Sequence, residues 1–128
     1  MPLLDGKYEI HDERTLAAGV TSFRATAPDG APVRVEWLDL GPDDEAAFER
    51  YRRLLKRLTR DGRAAIQDVV ARPGARYVAW YVPPDGSPTV RDPALDAQLR
   101  EAGFDPASAE IRRLDGSPQL VALPFRAP

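Results

Sequence analysis

Apolar and polar residues alternate along the segment VRVEWL, and this pattern predicts a β-strand that is half-buried in a sheet. Val33 and Val35 fall on one face of the strand, and Trp37 follows them. Arg34 and Glu36 fall on the other face. A carboxylate inside an otherwise apolar strand needs a partner or a function, so the surroundings of Glu36 are the first question that the sequence poses.

Four further segments alternate in the same way, and turn residues separate them. They are residues 7–10, 20–27, 65–72 and 76–82. Asp29-Gly30 predicts a hairpin loop, which must be longer than two residues because a proline lies on each side of the pair. Pro73-Gly74 predicts the turn between the last two strands. With the strand that carries Glu36, the pattern predicts five strands.

The segment between the third and fourth strands, residues 42–62, has the spacing of a long helix. Its apolar residues recur at three- and four-residue steps and form one stripe: Ala47, Phe48, Tyr51, Leu55 and Leu58. Acidic residues begin the segment, and Gly62 ends it. Later in the chain, residues 92–103 predict a short helix with Asp92 as N-cap, and residues 109–125 predict a hairpin that turns at Asp115-Gly116.

Length and composition indicate one domain, residues 1–128, because 128 residues are too few for two ordinary cores. With 18 basic and 20 acidic residues, the net charge of -2 argues against a nucleic-acid partner. The absence of cysteine excludes disulfides and thiol chemistry. No apolar run approaches the length of a membrane span, so we expect a cytoplasmic protein with no membrane partner.

The order of these elements, strand-strand-strand-helix-strand-strand, resembles the N-terminal lobe of bacterial Ser/Thr protein kinases. The segments that carry the resemblance are GKYEI, FRA at 23–25, VRVEWL, FERYRRLLKRL and RYVAWYVPPDG, and they span residues 6–86. The resemblance implies an α+β fold with a kinase small-lobe-like, antiparallel five-stranded sheet and one long helix. A short helix and a β-hairpin in residues 89–128 would follow and pack on it.

The residues at the family's functional positions have changed. Thr15, Ala17 and Val20 occupy the glycine positions of its phosphate-binding loop, where small residues let backbone amides approach a phosphate. Glu36 occupies the position of its nucleotide-binding lysine, and Tyr51 that of the helix glutamate which pairs with the lysine. The chain has no H-R-D-x-x-x-x-N stretch and no match for the large lobe. The resemblance therefore implies a pseudokinase, with no catalytic residues, cofactor or metal.

Other roles for the same polar residues stay open at this point. Glu36 and Asp39 could form a general base or half of a metal site, but no further ligands follow at suitable spacing. The interpretation that we prefer is ion pairing of Glu36 with Arg34, with Arg24 or with a helix arginine, or simple exposure to water. The single histidine, His11, has no recognisable catalytic partner and fits a surface position.

Two sets of residues are candidates for an interaction surface. Arg50, Arg53 and Arg57 belong to a cationic helix face, which binds an anionic ligand or is simply solvated. The resemblance assigns Trp80 and Tyr81 to the hinge segment, which contacts the adenine ring in kinases. They could therefore line a pocket, and a position in the core or at an interface is the alternative.

We therefore expect a bacterial, non-catalytic, regulatory protein-interaction module that binds another protein or itself. The alternative is a divergent nucleotide-binding protein or enzyme that uses the remnant cleft, with Arg34 or the helix cations in place of the lysine. A further expectation concerns residues 93–125, whose apolar side chains would fold back and bury surface that the large lobe covers in the kinases.

Overall fold

The computed structural model describes residues 3–125, which contain two α-helices and eight β-strands. They are β1 (Leu3–Leu4), β2 (Tyr8–Ala17), β3 (Val20–Thr26), β4 (Pro32–Leu38), α1 (Glu45–Arg60), β5 (Ile66–Arg72), β6 (Ala75–Tyr81), α2 (Pro93–Glu101), β7 (Glu110–Leu114) and β8 (Ser117–Ala122). Strands β1 to β6 form an antiparallel sheet in the order β1-β2-β3-β4-β6-β5, and β7 pairs with β8 in a separate hairpin. The fold is therefore α+β, as the sequence predicts.

The prediction of a five-stranded sheet was wrong, because the sheet has six strands in the described residues. The additional strand is β1, in which Leu3 pairs with Glu9 and Leu4 pairs with Tyr8. Two residues are too few to show an alternating pattern, so the sequence gives no signal for this strand. The turn that follows it contains Asp5 at a φ of 53°.

The sheet curls until the turn after β1 reaches β5 and β6. The Asp5 carboxylate accepts a hydrogen bond of 2.5 Å from the Tyr77 hydroxyl and forms an ion pair with Arg72. Lys7 lies 3.4 Å from Asp68 and adds a second, exposed link. The hydrogen bond from Tyr77 lowers the pKa of Asp5, and Arg72 lowers it further. Burial is the main cause that raises the pKa of Tyr77.

Inside the curl, one face of the sheet forms an apolar core. It consists of Tyr8, Ala25, Ala27, Val33, Val35, Tyr77 and Ala79. Trp37 packs against this core and stacks on Tyr77 with 5.3 Å between ring centroids. The alternation predicted for β4 is thereby confirmed, since its odd-numbered residues share this face.

Contacts divide the described chain into two compact units. Residues 3–41 and 66–82 form the first, called the sheet unit, and residues 42–65 and 83–125 form the second, called the helical unit. The helical unit contains α1, α2 and the β7–β8 hairpin. None of the helices between residues 3 and 125 is long and apolar enough to cross a membrane.

Within the helical unit, distant segments are joined by backbone and side-chain contacts. Leu120 exchanges two backbone hydrogen bonds of 2.9 Å with the segment after α1, accepting from Ala65 and donating to Arg63. The Arg63 side chain forms an ion pair with Asp92. The Asp92 side chain also accepts from the Leu95 amide at 3.2 Å, which confirms the predicted N-cap of α2.

The apolar stripe predicted for the long helix is confirmed, with Leu54 added to the buried residues. The helix ends where Gly62 adopts a φ of 73°, as a C-terminal glycine should. The last hairpin turns through Asp115 and Gly116, both at positive φ, with Leu114 opposite Ser117. These elements agree with the sequence because local turn residues specify each of them.

Candidate functional site

Glu36 lies on the face of β4 opposite to the apolar core and is only 5 % exposed. Its carboxylate forms an ion pair with Arg34, two residues earlier on the same face. The Arg34 guanidinium also lies over the Trp80 ring, 5.8 Å from the centroid. Of the partners considered for Glu36, the structure therefore selects Arg34. A buried carboxylate needs such a partner, because burying an uncompensated charge is costly.

The residues that the resemblance assigns to a phosphate loop lie at and next to a tight hairpin turn between β2 and β3. Ala17 pairs with Val20, so the loop contains only two residues. Gly19 adopts a φ of 78°, and its carbonyl accepts a 2.7 Å hydrogen bond from the Asp39 amide. A Cβ at position 19 would lie 2.8 Å from the Asp39 carbonyl oxygen. Glycine is thus required here for close packing of two backbone segments.

Thr15 lies on β2 before this hairpin, where it pairs with Thr21 and is exposed. The strand has an irregular register between Thr15 and Ala17, which leaves Leu16 as the extra residue of a β-bulge. The positions that resemble a phosphate loop therefore belong to a regular strand, a bulge and a two-residue turn.

Tyr51, which the resemblance assigns to the helix glutamate, is a core residue of the helical unit. Its side chain is completely buried, and its hydroxyl donates a 2.5 Å hydrogen bond to the Leu123 carbonyl. The rings of Phe104 and Phe125 lie 5.7 and 5.2 Å from the Tyr51 ring. These contacts of Tyr51 pack α1 against later segments of the helical unit.

Trp80 and Tyr81 differ in accessibility although they are adjacent on β6. Trp80 is completely buried, so its indole offers no surface to a partner, and its Nε1 has no hydrogen-bond partner among residues 3–125. Tyr81 is partly buried and packs at the periphery of the apolar core. Of this pair, only Tyr81 retains an accessible part.

The three helix arginines predicted as an interaction surface lie together. Arg50, Arg53 and Arg57 line a groove of about 330 Å³ on the helical unit, and the end of α2 contributes Glu101 to it. All three side chains are exposed. We call this the helix groove.

Two neighbouring arginines of α1, one of which lines the helix groove, bind the same carboxylate. Arg52 binds Glu49 through two hydrogen bonds of 2.6 and 2.9 Å, and Arg53 binds it at 3.2 Å. The hydrogen bonds from Arg52, and then those from Arg53, lower the pKa of Glu49 to about 2. Arg50 and Arg57 form no ion pair with any residue that the structure describes. Two cations of the helix groove therefore keep their charge available.

The sequence pattern did not reveal a second groove, which lies on the sheet unit. It has a volume of about 390 Å³ and is lined by Arg14 on β2, Arg24 on β3 and Arg34 on β4, with Asp12 beside them. We call it the sheet groove. The three arginines are far apart in sequence, and only the register of the strands reveals that they share a face. Finding them from the sequence would have required knowing which residues of β2, β3 and β4 pair with one another.

The remaining candidates are not assembled into a cluster. The His11 ring nitrogen Nε2 lies 2.6 Å from the Thr26 hydroxyl at an exposed position. Asp39 is exposed, and no group of three or more His, Cys, Asp or Glu side chains that could hold a metal is found between residues 3 and 125.

No protein-family model matches the chain, and no curated protein sequence matches it.

Proposed function

We propose that this chain is a non-catalytic protein-interaction module on a pseudokinase-like scaffold. The observation that carries the proposal is the ion pair between the buried Glu36 carboxylate and the partly exposed Arg34. The resemblance assigns the position of Glu36 to a lysine that holds nucleotide phosphates. A carboxylate there cannot hold a phosphate as the lysine does, and the Arg34 guanidinium is already paired with this carboxylate.

Two features of the fold support the scaffold part of the proposal. Strands β2 to β6 and α1 follow each other in the order of a kinase small lobe, with the helix inserted between β4 and β5. The β2–β3 turn lies where that lobe has its phosphate-binding loop, but its Gly19 carbonyl is held by the Asp39 amide.

The helix groove supports the interaction part of the proposal. Helix α1 carries six basic and two acidic residues in a chain whose net charge is -2. Arg50 and Arg57 are exposed without an ion pair inside the described region, and arginine is enriched at protein interfaces. The partner is another protein or a second copy of the chain, since this surface lacks the exposed aromatic residues that bases stack on.

A nucleotide-binding experiment tests the non-catalytic part. We expect ATP, ADP or GTP with Mg²⁺ to leave the melting temperature of the protein unchanged, because a ligand that binds the native state must raise it. Wild type and Glu36→Lys should both lack transfer of a labelled γ-phosphate, since the other catalytic groups are missing together. A saturable rise in melting temperature at sub-millimolar nucleotide would overturn the proposal and support the nucleotide-binding alternative.

Site-specific photo-crosslinking in the native cells tests the interaction part. A crosslinker placed at Arg50 should give one reproducible protein adduct, and Arg53→Glu/Arg57→Glu should abolish it. A crosslinker at Arg113, which is exposed on the β7–β8 hairpin, is the matched control. Equal adducts from both positions, or none from position 50, would remove α1 as the interaction surface.

A further inference from the structure

The sheet groove brings like charges together at a cost in stability. In the register of the sheet, Arg24 lies directly opposite Arg34 on one side and opposite Asp12 on the other. Like charges directly opposite each other on neighbouring strands are destabilising. Asp12 forms no ion pair with a residue between 3 and 125, and one of its carboxylate oxygens accepts a hydrogen bond from the Glu13 amide.

Two of the three arginines also keep their charge available. Arg14 and Arg24 are exposed and form no ion pair with any residue between 3 and 125, whereas Arg34 is paired with Glu36. Guanidinium groups bind carboxylates through two parallel hydrogen bonds, so this pair is suited to an anionic ligand with separated carboxylates.

The same groove has an apolar part. Leu16 and Val82 line it and are 51 % and 43 % exposed, and they are two of the three large apolar side chains exposed in the described chain. Single exposed apolar residues are ordinary, but two of them in one charged groove provide contact surface for an apolar side chain of a ligand.

The shape and the backbone favour an extended segment over a small molecule. Five of the seven lining residues are exposed, so the groove is open, whereas small-molecule sites enclose most of their ligand. Strand β2 is also an edge strand beyond Glu9, because β1 pairs only with Tyr8 and Glu9. Its outer edge from His11 to Ala17 therefore offers unpaired backbone groups among the described residues, and extended peptides bind such edges.

We propose that the sheet groove binds an extended acidic segment of a partner protein, with carboxylates on Arg14 and Arg24 and an apolar side chain on Leu16 and Val82. The inference rests on the proposed interaction function, and it names the chemistry of the partner. Nucleic acid fits less well, because Asp12 lies in the groove and no aromatic side chain lines it for base stacking.

The test uses the full-length protein and a fluorescein-labelled synthetic peptide of twelve residues, in which glutamates and aspartates surround one leucine. The control peptide has glutamine and asparagine at the acidic positions. Fluorescence anisotropy should show saturable binding of the acidic peptide that weakens with salt, and at least tenfold weaker binding of the control peptide. No saturable binding of the acidic peptide up to millimolar protein would overturn the inference.

Peptide binding by charge-reversed variants shows which groove holds the peptide. Arg14→Glu/Arg24→Glu should weaken binding at least tenfold, and Lys56→Glu/Arg113→Glu, which changes the net charge equally at exposed positions outside both grooves, should change it less than twofold. Leu16→Ser should weaken binding a few-fold. Equal losses in the two double variants would show attraction to net charge only, and a loss confined to Arg50→Glu/Arg57→Glu would move the peptide to the helix groove; either result overturns the inference.

Two further arms keep the result unambiguous. If the glutamate variant does not fold by circular dichroism, Arg14→Gln/Arg24→Gln replaces it, with the same tenfold expectation. Competition by inorganic phosphate or ATP as effective as that of unlabelled peptide would show a small-anion site and overturn the peptide assignment. Because nucleotide binding is measured separately by melting temperature, absence of peptide binding with an unchanged melting temperature rejects this inference alone, and the proposed function stands.

Discussion

The contacts that stabilise the sheet unit internally differ from those that stabilise the helical unit internally. In the sheet unit, consecutive hairpins account for most strand pairs, and exposed or partly exposed ion pairs such as Lys7–Asp68 close the curl. In the helical unit, buried side chains join segments that are far apart in sequence, as in the Tyr51–Leu123 hydrogen bond. Hairpins between neighbouring strands therefore account for most strand pairs of the sheet unit, and long-range contacts such as Asp5–Tyr77 close it. The helical unit has no comparable set of local pairs around its main helix and depends on residues that follow this helix by more than sixty positions.

The largest expected effect is on the helical unit, from deletion of everything after Pro88. The deletion removes Leu95, Leu99, Leu120 and Leu123, all completely buried, and each contributes about 1.5 to 3 kcal/mol when buried. Their combined contribution is comparable to the whole stability of a domain, which is about 5 to 15 kcal/mol. We expect aggregation or loss of helical signal in circular dichroism.

A point variant provides the control for that deletion. Leu99→Ala should lower the free energy of unfolding by about 2 to 5 kcal/mol, whereas the exposed Val82→Ala should change it little. A truncated protein that is monomeric and as stable as the full chain would contradict the dependence of the helical unit on its C-terminal segment.

The next effect separates two arginines of the sheet unit that face each other in register. Arg34→Thr leaves the buried Glu36 without its ion pair and should cost about 1 to 3 kcal/mol of unfolding free energy. Arg24→Thr removes a like charge opposite Arg34 and should cost nothing or stabilise. Urea unfolding of both variants checks the difference, and equal losses would show that Arg24 has a structural role.

A smaller effect concerns closure of the curl. Asp5→Asn weakens the hydrogen bond from Tyr77 and removes the ion pair with Arg72, so we expect a loss of about 1 to 2 kcal/mol. Lys7→Gln, which breaks only the exposed pair with Asp68, is the control and should cost less than about 0.5 kcal/mol. If chemical denaturation shows the two variants to be equally stable, the Asp5 contacts do not close the sheet.

The smallest effect is on the surface of α1 and depends on pH. The pKa of Glu49 is lowered from 4.5 to about 2 by Arg52 and Arg53, so its ionised form is favoured in the native state. A lowered pKa gives stability that is present above about pH 5 and is lost as the pH falls through 4.5 towards 2.

Glu49→Gln should therefore cost about 0.5 kcal/mol at pH 7, a value typical of exposed helix pairs. Melting temperatures of wild type and variant should converge near pH 2. A difference that stays constant from pH 7 to pH 2 would mean that the Arg52 and Arg53 contacts do not depend on the charge of Glu49.

Much of the secondary structure could be predicted from the sequence because local signals specify it. Helix α1 has an apolar stripe and a terminal Gly62, and Asp115-Gly116 specifies the last turn. The strand β1 was missed because two residues carry no periodicity. Charge alone limited the possible ion-pair partners of Glu36 to a few arginines, and the structure is needed to show that the partner is Arg34.

The sheet groove could not be predicted from sequence, because its arginines come from three strands and meet only through register. Alternation gives the residues of each strand that share a face, but which of them lie side by side depends on the register between strands. The helix groove was partly predicted, since Arg50, Arg53 and Arg57 follow helical spacing within one element, but the contribution of Glu101 from α2 was not.

The hydrogen bond from Tyr51 to Leu123 has a consequence for the order of events on the ribosome. Helix α1 is synthesised before β5 and β6, yet the residues that contact Tyr51 from the end of the described chain emerge about seventy residues later. The sheet unit has all its strands once residue 82 has emerged, and domains made early in synthesis generally fold first. A nascent chain from which residue 100 has emerged would therefore present a complete set of sheet strands, together with a helix α1 that still lacks its contacts with Leu123 and Phe125.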